Sequence, residues 1–139
     1  MEWIVATETE MSSVAATIAP LLKTGDIIAL EGTLGAGKTT FVRTLVRYLL
    51  KNPTVDVPSP TFTLLQTYDT PNLVLYHFDF YRLKKPEEAY EIGIEDAFDT
   101  GVSLIEWPQK IGTLLPKNHK TLTFEILPDN TRKLTLGDF

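Results

Sequence analysis

The sequence predicts one α/β domain, residues 1–139, with a central mixed β-sheet flanked by helices. Short apolar runs typical of buried strands alternate with segments whose apolar residues recur at helical spacing. The length of 139 residues is that of one domain, and 43% hydrophobic with 22% charged residues is ordinary for a globular protein. No internal repeat, low-complexity tract or linker divides the chain.

The first predicted helix begins at Thr7, which has capping-box spacing to Glu10, and Gly25 is a suitable stop. Residues 27–30 form a continuous apolar run, the pattern of a strand buried on both faces. A glycine-rich stretch follows, and then a broad apolar helix face that reaches about Lys51. Residues 27–51 are therefore predicted to form a strand, a loop and a helix in immediate succession.

The second half predicts mostly strands. Three prolines exclude a regular helix from residues 52–60, and a helix is predicted from Pro86 to about Phe98. Residues 61–68 and 73–81 are predicted to form one hairpin, and residues 121–127 and 132–136 are predicted to form a second hairpin. Residues 102–106 are predicted to form a strand between them. Residues 102–106 resemble a buried strand, and Trp107-Pro108 stops it.

Composition excludes several classes of function. The net charge of −5 argues against binding of nucleic acid by this chain alone, and the absence of cysteine excludes disulfides, thiolate metal sites and cysteine nucleophiles. No apolar run approaches the roughly 18 residues that span a membrane. The first residues lack the basic start and long apolar stretch of a signal peptide, so we expect a cytoplasmic protein with no membrane association.

The segment after the first apolar strand carries a complete phosphate-binding pattern, Gly32-x4-Gly37-Lys38-Thr39. Glycines let the backbone wrap around phosphate oxygens, and the following helix adds the positive end of its dipole. Lys38 would reach the β- and γ-phosphates, and the hydroxyl of Thr39 would ligate Mg²⁺. The sequence thus predicts a nucleotide-binding fold of the phosphate-loop type.

A nucleotide hydrolase also needs an acidic group at a strand end to hold or orient the metal and its waters. Glu106 ends the more uniformly apolar run and is the first choice for the metal site. Asp79 lies on a strand of alternating character and could act from the other side of the γ-phosphate. Both are therefore candidate catalytic residues, together with Lys38.

Other polar residues leave alternatives open. Residues 59–61 (Ser-Pro-Thr) could sense the γ-phosphate or form a rigid proline turn, and Arg82 could pair with a phosphate or with Asp79. His77 and His119 have no metal-ligand partners at useful spacing, so both are interpreted as structural.

Four motifs occur together in an order and spacing that resemble one family, TsaE. They are residues 31–40 (EGTLGAGKTT), 59–62 (SPTF), 77–83 (HFDFYRL) and 104–108 (LIEWP). The resemblance covers almost the whole chain, and while each motif occurs elsewhere, the set of four is specific.

The resemblance implies a protein that binds ATP with Mg²⁺ and hydrolyses it weakly alone. It implies partnership with TsaD and TsaB, which carry out threonylcarbamoyl transfer to adenosine 37 of tRNA, so that this chain meets tRNA only indirectly. Thr39 and Glu106 match the metal-binding residues of the family, and Asp79 matches its second essential acid. The family's nucleotide contacts match Thr9 and Glu10 loosely, and the phosphate loop at Gly35, Ala36, Gly37, Lys38, Thr39 and Thr40. Nothing functional transfers to the hairpin after Lys117.

The main alternative is a small-molecule kinase that uses the same loop. Such kinases usually clamp the transferred phosphoryl group with several arginines in a lid, whereas this chain has four arginines and no arginine-rich segment. A nucleotide-dependent binding module is a second alternative, in which hydrolysis is only a timer. The absence of an Asn-Lys-x-Asp sequence makes a GTPase the weakest candidate.

Overall fold

A computed structural model of the protein describes residues 1–137 and contains one seven-stranded β-sheet. The strands are β1 (Glu2–Val5), β2 (Ile27–Glu31), β3 (Leu65–Asp69), β4 (Val74–Asp79), β5 (Val102–Glu106), β6 (Lys120–Ile126) and β7 (Arg132–Leu136). The helices are α1 (Glu8–Ile18), α2 (Lys38–Leu50), α3 (Glu88–Ile92) and α4 (Ile94–Thr100), with 3₁₀ segments at Ala19–Leu21 and Pro108–Leu114. Between residues 1 and 137, no helix combines the length and the apolar character that a membrane crossing needs.

The strands lie in the order β1-β7-β6-β2-β5-β4-β3. The four central strands β6, β2, β5 and β4 run parallel, and the antiparallel pairs β6–β7, β1–β7 and β3–β4 extend the sheet at both sides. The α/β class, the mixed sheet and both predicted hairpins are therefore confirmed. The last two residues of the predicted domain lie outside the described part.

Three element predictions need correction. The helix predicted from Pro86 to Phe98 is two short helices, because Gly93 has the left-handed φ of 96° that ends α3 and begins α4. The strand predicted from residue 61 begins at Leu65, since residues 61–63 form a turn. Strand β1 was not predicted; its four residues alternate in burial and pair with β7 at the edge of the sheet.

Each face of the sheet packs against a different layer. Leu75 and Leu104 face α1 and α2 in one core cluster, whereas Phe78, Phe80 and Ile105 face α3 and α4 in the other. Side chains along a strand alternate between the faces, so His77 and Asp79 share the face of Leu75. This alternation places the polar end of β4 on the α2 side of the sheet.

Candidate functional site

The predicted site residues meet at one edge of the sheet. Strands β2, β5 and β4 are parallel neighbours, with Leu30 opposite Glu106 and Glu106 opposite Asp79. Their carboxyl ends therefore lie side by side, and the glycine-rich loop leaves β2 at the same place. This edge is where parallel α/β sheets form ligand sites.

The glycine-rich loop has a backbone that requires glycine. Gly37 is the N-cap of the 13-residue helix α2 and has a φ of 106°. A Cβ atom on Gly32 would lie 2.6 Å from the backbone carbonyl oxygen of Phe124, so β6 packs directly against the loop. The loop thus leads from the end of β2 directly into the start of a helix, the arrangement that binds phosphate.

Lys38 lies across the mouth of this loop. Its Nζ donates a hydrogen bond of 2.7 Å to the carbonyl oxygen of Gly32 and lies 4.8 Å from the ring centroid of Trp107. Trp107 follows β5 in a left-handed conformation and packs against Tyr81, with ring centroids 4.9 Å apart. The ammonium group is therefore held at the loop by one carbonyl oxygen and one aromatic face.

Glu106 is buried and is hydrogen-bonded to two partners through one oxygen. Its Oε2 accepts from the hydroxyl of Thr39 at 3.2 Å and lies 2.7 Å from Nε2 of His77. The interpretation of His77 as merely structural missed this contact. Alternation along β4 puts His77 on the same face as Asp79, but only the pairing of β4 with β5 brings it beside Glu106.

The oxygen donors of Thr39 and Glu106 fit a magnesium ion. Among residues 1–137, no cluster of three or more His, Cys, Asp or Glu side chains could hold a metal without other ligands. Mg²⁺ needs no such cage, because it keeps several waters and binds through one or two protein oxygens together with substrate phosphates. A hydroxyl and a carboxylate beside a phosphate loop match that requirement.

Asp79 is also buried, and both of its oxygens accept hydrogen bonds. The backbone amide of Tyr81 donates to Oδ1 at 2.9 Å, and the hydroxyl of Thr61 donates to Oδ2 at 3.3 Å. The hydroxyl of Thr61 also lies 2.8 Å from that of Ser59. The hydroxyls of the segment 59–61 are thus connected to the second acid.

Among residues 1–137, Arg82 is not paired with Asp79, one of the two partners considered from the sequence. Its guanidinium lies 4.3 Å from the ring centroid of Phe62, a side chain that is 78% exposed. Within the described residues, no ion pair joins Arg82 to Asp79.

A cavity of about 230 Å³ adjoins the other side of the loop. Its lining includes Gly35, Thr40, the segment 5–8 and Arg132, whose guanidinium donates to the carbonyl oxygen of Gly35 at 3.3 Å. The hairpin to which the sequence assigned no function therefore reaches the phosphate loop. Hydrogen bonds from the hydroxyl and amide of Thr131 lower the pKa of Asp129 and brace the turn that carries Arg132.

Thr9 and Glu10 lie near this cavity but do not line it. Thr9 lines a separate cavity of about 830 Å³ between α1, the end of α2 and the β3–β4 turn. The carboxylate of Glu10 accepts from the amide of Ala6 at 3.1 Å and from the hydroxyl of Thr7 at 3.3 Å. Its described contacts are those of a helix cap.

Comparison with known proteins gives the family. The family model described as "Threonylcarbamoyl adenosine biosynthesis protein TsaE" matches residues 5–134. The chain belongs to the TsaE family. It is 43% identical over 129 residues to the tRNA threonylcarbamoyladenosine biosynthesis protein TsaE of Rickettsia bellii, a match that covers 93% of this chain and 89% of the relative. TsaE of Bacillus subtilis is 35% identical over 136 residues, or 97% of this chain and 84% of the relative.

A solved structure agrees with this membership. The crystal structure of Bacillus subtilis YdiB superposes with a TM-score of 0.80 at 32% identity, covering 98% of this chain and 83% of YdiB. The TsaE resemblance inferred from four sequence motifs is therefore confirmed. In this member of the family, Thr39 contacts Glu106, and Asp79 is the register partner of Glu106 on the neighbouring strand.

Proposed function

We propose that the protein is a Mg²⁺-dependent ATPase that hydrolyses ATP slowly on its own. In this proposal it acts in the cytoplasm with TsaB and TsaD in the threonylcarbamoylation of adenosine 37 of tRNA. The TsaE family supports the place in tRNA modification. The observation that carries the ATPase activity is the phosphate loop at the start of α2, beside the hydrogen-bonded pair of Thr39 and Glu106.

The loop supplies the phosphate contacts. The amides of residues 37–40, at the N-terminal end of α2, would bind phosphate oxygens, because these donors have no intrahelical partners. The proposal extends the phosphate contacts to Gly35 and to Ala36, whose amide would exchange its bond to the carbonyl oxygen of Thr33 for phosphate. Lys38 would exchange its contact with the carbonyl oxygen of Gly32 for the β- and γ-phosphates. These groups bind and orient the triphosphate.

Thr39 and Glu106 would hold the magnesium ion together with the phosphates. When bound, Mg²⁺ supplies positive charge that offsets the charge developing on the phosphate oxygens. The hydroxyl of Thr39 is already directed at the carboxylate of Glu106, so both oxygens face one point at the loop. Little rearrangement of the protein is then needed.

Asp79 would act on the water molecule that attacks the γ-phosphate. Its Cα is the register partner of Glu106 on the neighbouring strand, and its carboxylate is hydrogen-bonded to Thr61. We assign Asp79 the orientation of the attacking water and the segment 59–61 the response to the γ-phosphate. The buried hydrogen bonds of Asp79 hold it in place for that task.

The nucleoside would lie in the cavity between the loop and the N-terminal segment. Arg132 borders this cavity, and a planar guanidinium both stacks on bases and donates hydrogen bonds. Thr9 and Glu10 remain in the proposal as nucleotide contacts from the adjoining helix. An Arg132→Ala variant is expected to bind ATP more weakly than the parent while keeping its dependence on Mg²⁺.

The need for partners follows from the charges at the site. Fast phosphoryl transfer uses an arginine against the γ-phosphate, often supplied in trans. Among the described residues, no hydrogen bond or ion pair joins an arginine to Glu106 or Asp79, and Arg47 is directed instead to the carbonyl oxygen of Val55 and to Glu8. TsaD and TsaB are the partners that would complete or reorganise the site.

The reaction products test this proposal. The purified chain is incubated with ATP labelled at the γ-phosphate and with Mg²⁺, and free phosphate and labelled small molecules are separated. ADP and free phosphate in equal amounts are expected, with neither formed in EDTA. A labelled small molecule from an added metabolite extract would instead indicate a kinase. Absence of ATP binding at millimolar concentration would overturn the proposal.

A further inference from the structure

We propose that His77 is a positioning residue, whose Nε2–H holds the carboxylate of Glu106 in the orientation that the metal site needs. The proposal rests on the metal site assigned above. It starts from the 2.7 Å contact between Nε2 of His77 and Oε2 of Glu106. His77 is fully buried and Glu106 is 5% exposed, so this contact forms away from solvent.

The hydrogen-bonding capacity of the two groups fixes the direction of the bond. An ionised carboxylate only accepts, so Nε2 of His77 must donate. The second ring nitrogen, Nδ1, is buried and has no hydrogen-bond partner among the described residues. A proton on Nδ1 would leave a buried donor without a partner and would take from Nε2 the proton that its bond to Glu106 requires. The geometry therefore assigns the ring proton to Nε2.

The hydrogen bond from His77 fixes the terminal torsion of the Glu106 side chain, which would otherwise rotate easily. The terminal torsion of glutamate has broad, shallow minima, so a free carboxylate turns easily. In this protein, Oε2 accepts from His77 and from the hydroxyl of Thr39, and neither bond uses Oε1. The carboxylate is thus held against Thr39 with its second oxygen left for the metal or a metal-bound water.

The ring of His77 is a rigid support for this purpose. His77 lies inside β4, which pairs with β3 on one side and with β5 on the other, opposite Gln66 and Leu104. A side chain in the interior of a sheet keeps its place when surface loops move. Outer partners of metal ligands act in this way, and their removal typically weakens metal binding 10–100-fold.

Three substitutions separate positioning from packing. Glutamine carries its amide nitrogen as many bonds from the backbone as Nε2 of histidine, whereas asparagine reaches only to the place of Nδ1. His77→Gln therefore keeps the donor, His77→Asn misplaces it, and His77→Leu removes it while suiting a buried position. Mn²⁺ binding is measured by electron paramagnetic resonance with a non-hydrolysable ATP analogue, and analogue binding is measured separately in EDTA.

We expect His77→Leu and His77→Asn to weaken Mn²⁺ binding about tenfold or more, and His77→Gln to stay within a few-fold of the parent. Analogue binding in EDTA should be unchanged in all three. Parental Mn²⁺ affinity in folded His77→Leu would overturn the positioning role. If the parent does not bind the analogue at all, the proposed function fails instead.

A second measurement needs neither nucleotide nor a folded variant of His77. In the ¹⁵N-labelled chain, long-range ¹H–¹⁵N correlations report which nitrogen of each histidine ring carries the proton. The chain has two histidines, so comparison with His77→Gln, or with a His119→Gln variant, assigns the signals. A ring proton on Nε2 of His77 is expected, and a proton on Nδ1 with a bare Nε2 would overturn the proposal.

Discussion

Replacement of Lys38 by methionine removes the charge at the phosphate loop while keeping most of the side chain. In the protein, the ammonium is 2.7 Å from the carbonyl oxygen of Gly32 and 4.8 Å from the ring centroid of Trp107. A hydrogen bond to a charged group contributes about 1.5–3 kcal/mol. If the ammonium contacts the β- and γ-phosphates, Lys38→Met should cost about 3 kcal/mol of binding free energy. That cost corresponds to a loss of ATP affinity of about 100-fold.

The fold should tolerate the same substitution. Lys38 is 6% exposed, and methionine fills irregular apolar space well. We expect the free energy of unfolding to fall by about 1.5–3 kcal/mol, the contribution of the lost hydrogen bond to Gly32, and the variant to remain folded. Isothermal titration calorimetry with ATP–Mg²⁺ gives the affinity, and urea unfolding gives the stability. A folded Lys38→Met protein that binds ATP as tightly as the parent would refute the phosphate-loop assignment.

Three further substitutions test the neighbouring contacts. Glu106→Gln should raise the Mg²⁺ concentration for half-maximal hydrolysis about tenfold or more, while ATP binding in EDTA should change little. A variant with the Mg²⁺ dependence of the parent would exclude Glu106 from the metal site. In a Trp3→Phe chain, the fluorescence emission of the remaining Trp107 should change on saturation with ATP–Mg²⁺, because Trp107 contacts Lys38. Constant emission would mean that Trp107 is only a core residue. Gly32→Ala should destabilise the protein by about 1–3 kcal/mol more than Gly35→Ala in urea, because its new methyl would lie 2.6 Å from a β6 carbonyl oxygen. Gly35 also has a positive φ, of 82°, but a methyl there meets no atom within 4 Å, so Gly35→Ala measures the backbone strain alone.

Much of the site could be predicted because its information is local in the sequence. The loop pattern sits between an apolar strand and an apolar helix face, and Glu106 and Asp79 each end a strand. Parallel neighbouring strands bring such ends together, so the sheet order β2-β5-β4 places these residues side by side. At the carboxyl ends of β2, β5 and β4, the residues that the sequence motifs predict for the site are therefore the ones that the sheet topology brings together.

The parts that could not be predicted depend on contacts between distant segments. Arg132 lies far along the chain from Gly35, and only the pairing of β6 with β2 brings its hairpin to the loop. The contact of His77 with Glu106 depends on the order of strands, although the alternation along β4 indicated the face. Strand β1 is four residues long and half exposed, too short for a clear alternating pattern. The break at Gly93 is the exception, because the tolerance of glycine for positive φ is a local signal for the end of a helix.

Phosphate release by the purified chain, alone and with the TsaB–TsaD pair, tests most directly the claim that this is a slow ATPase completed by partners. Alone, we expect on the order of a few turnovers per hour to per minute, as in phosphate-loop hydrolases that lack an arginine against the γ-phosphate. With the pair, the rate should rise about tenfold or more, since an arginine supplied in trans contributes up to about 10³–10⁵. Lys38→Met with the same pair is the matched control and should release no phosphate above background. Rapid turnover by the isolated chain that the pair does not change would contradict the account.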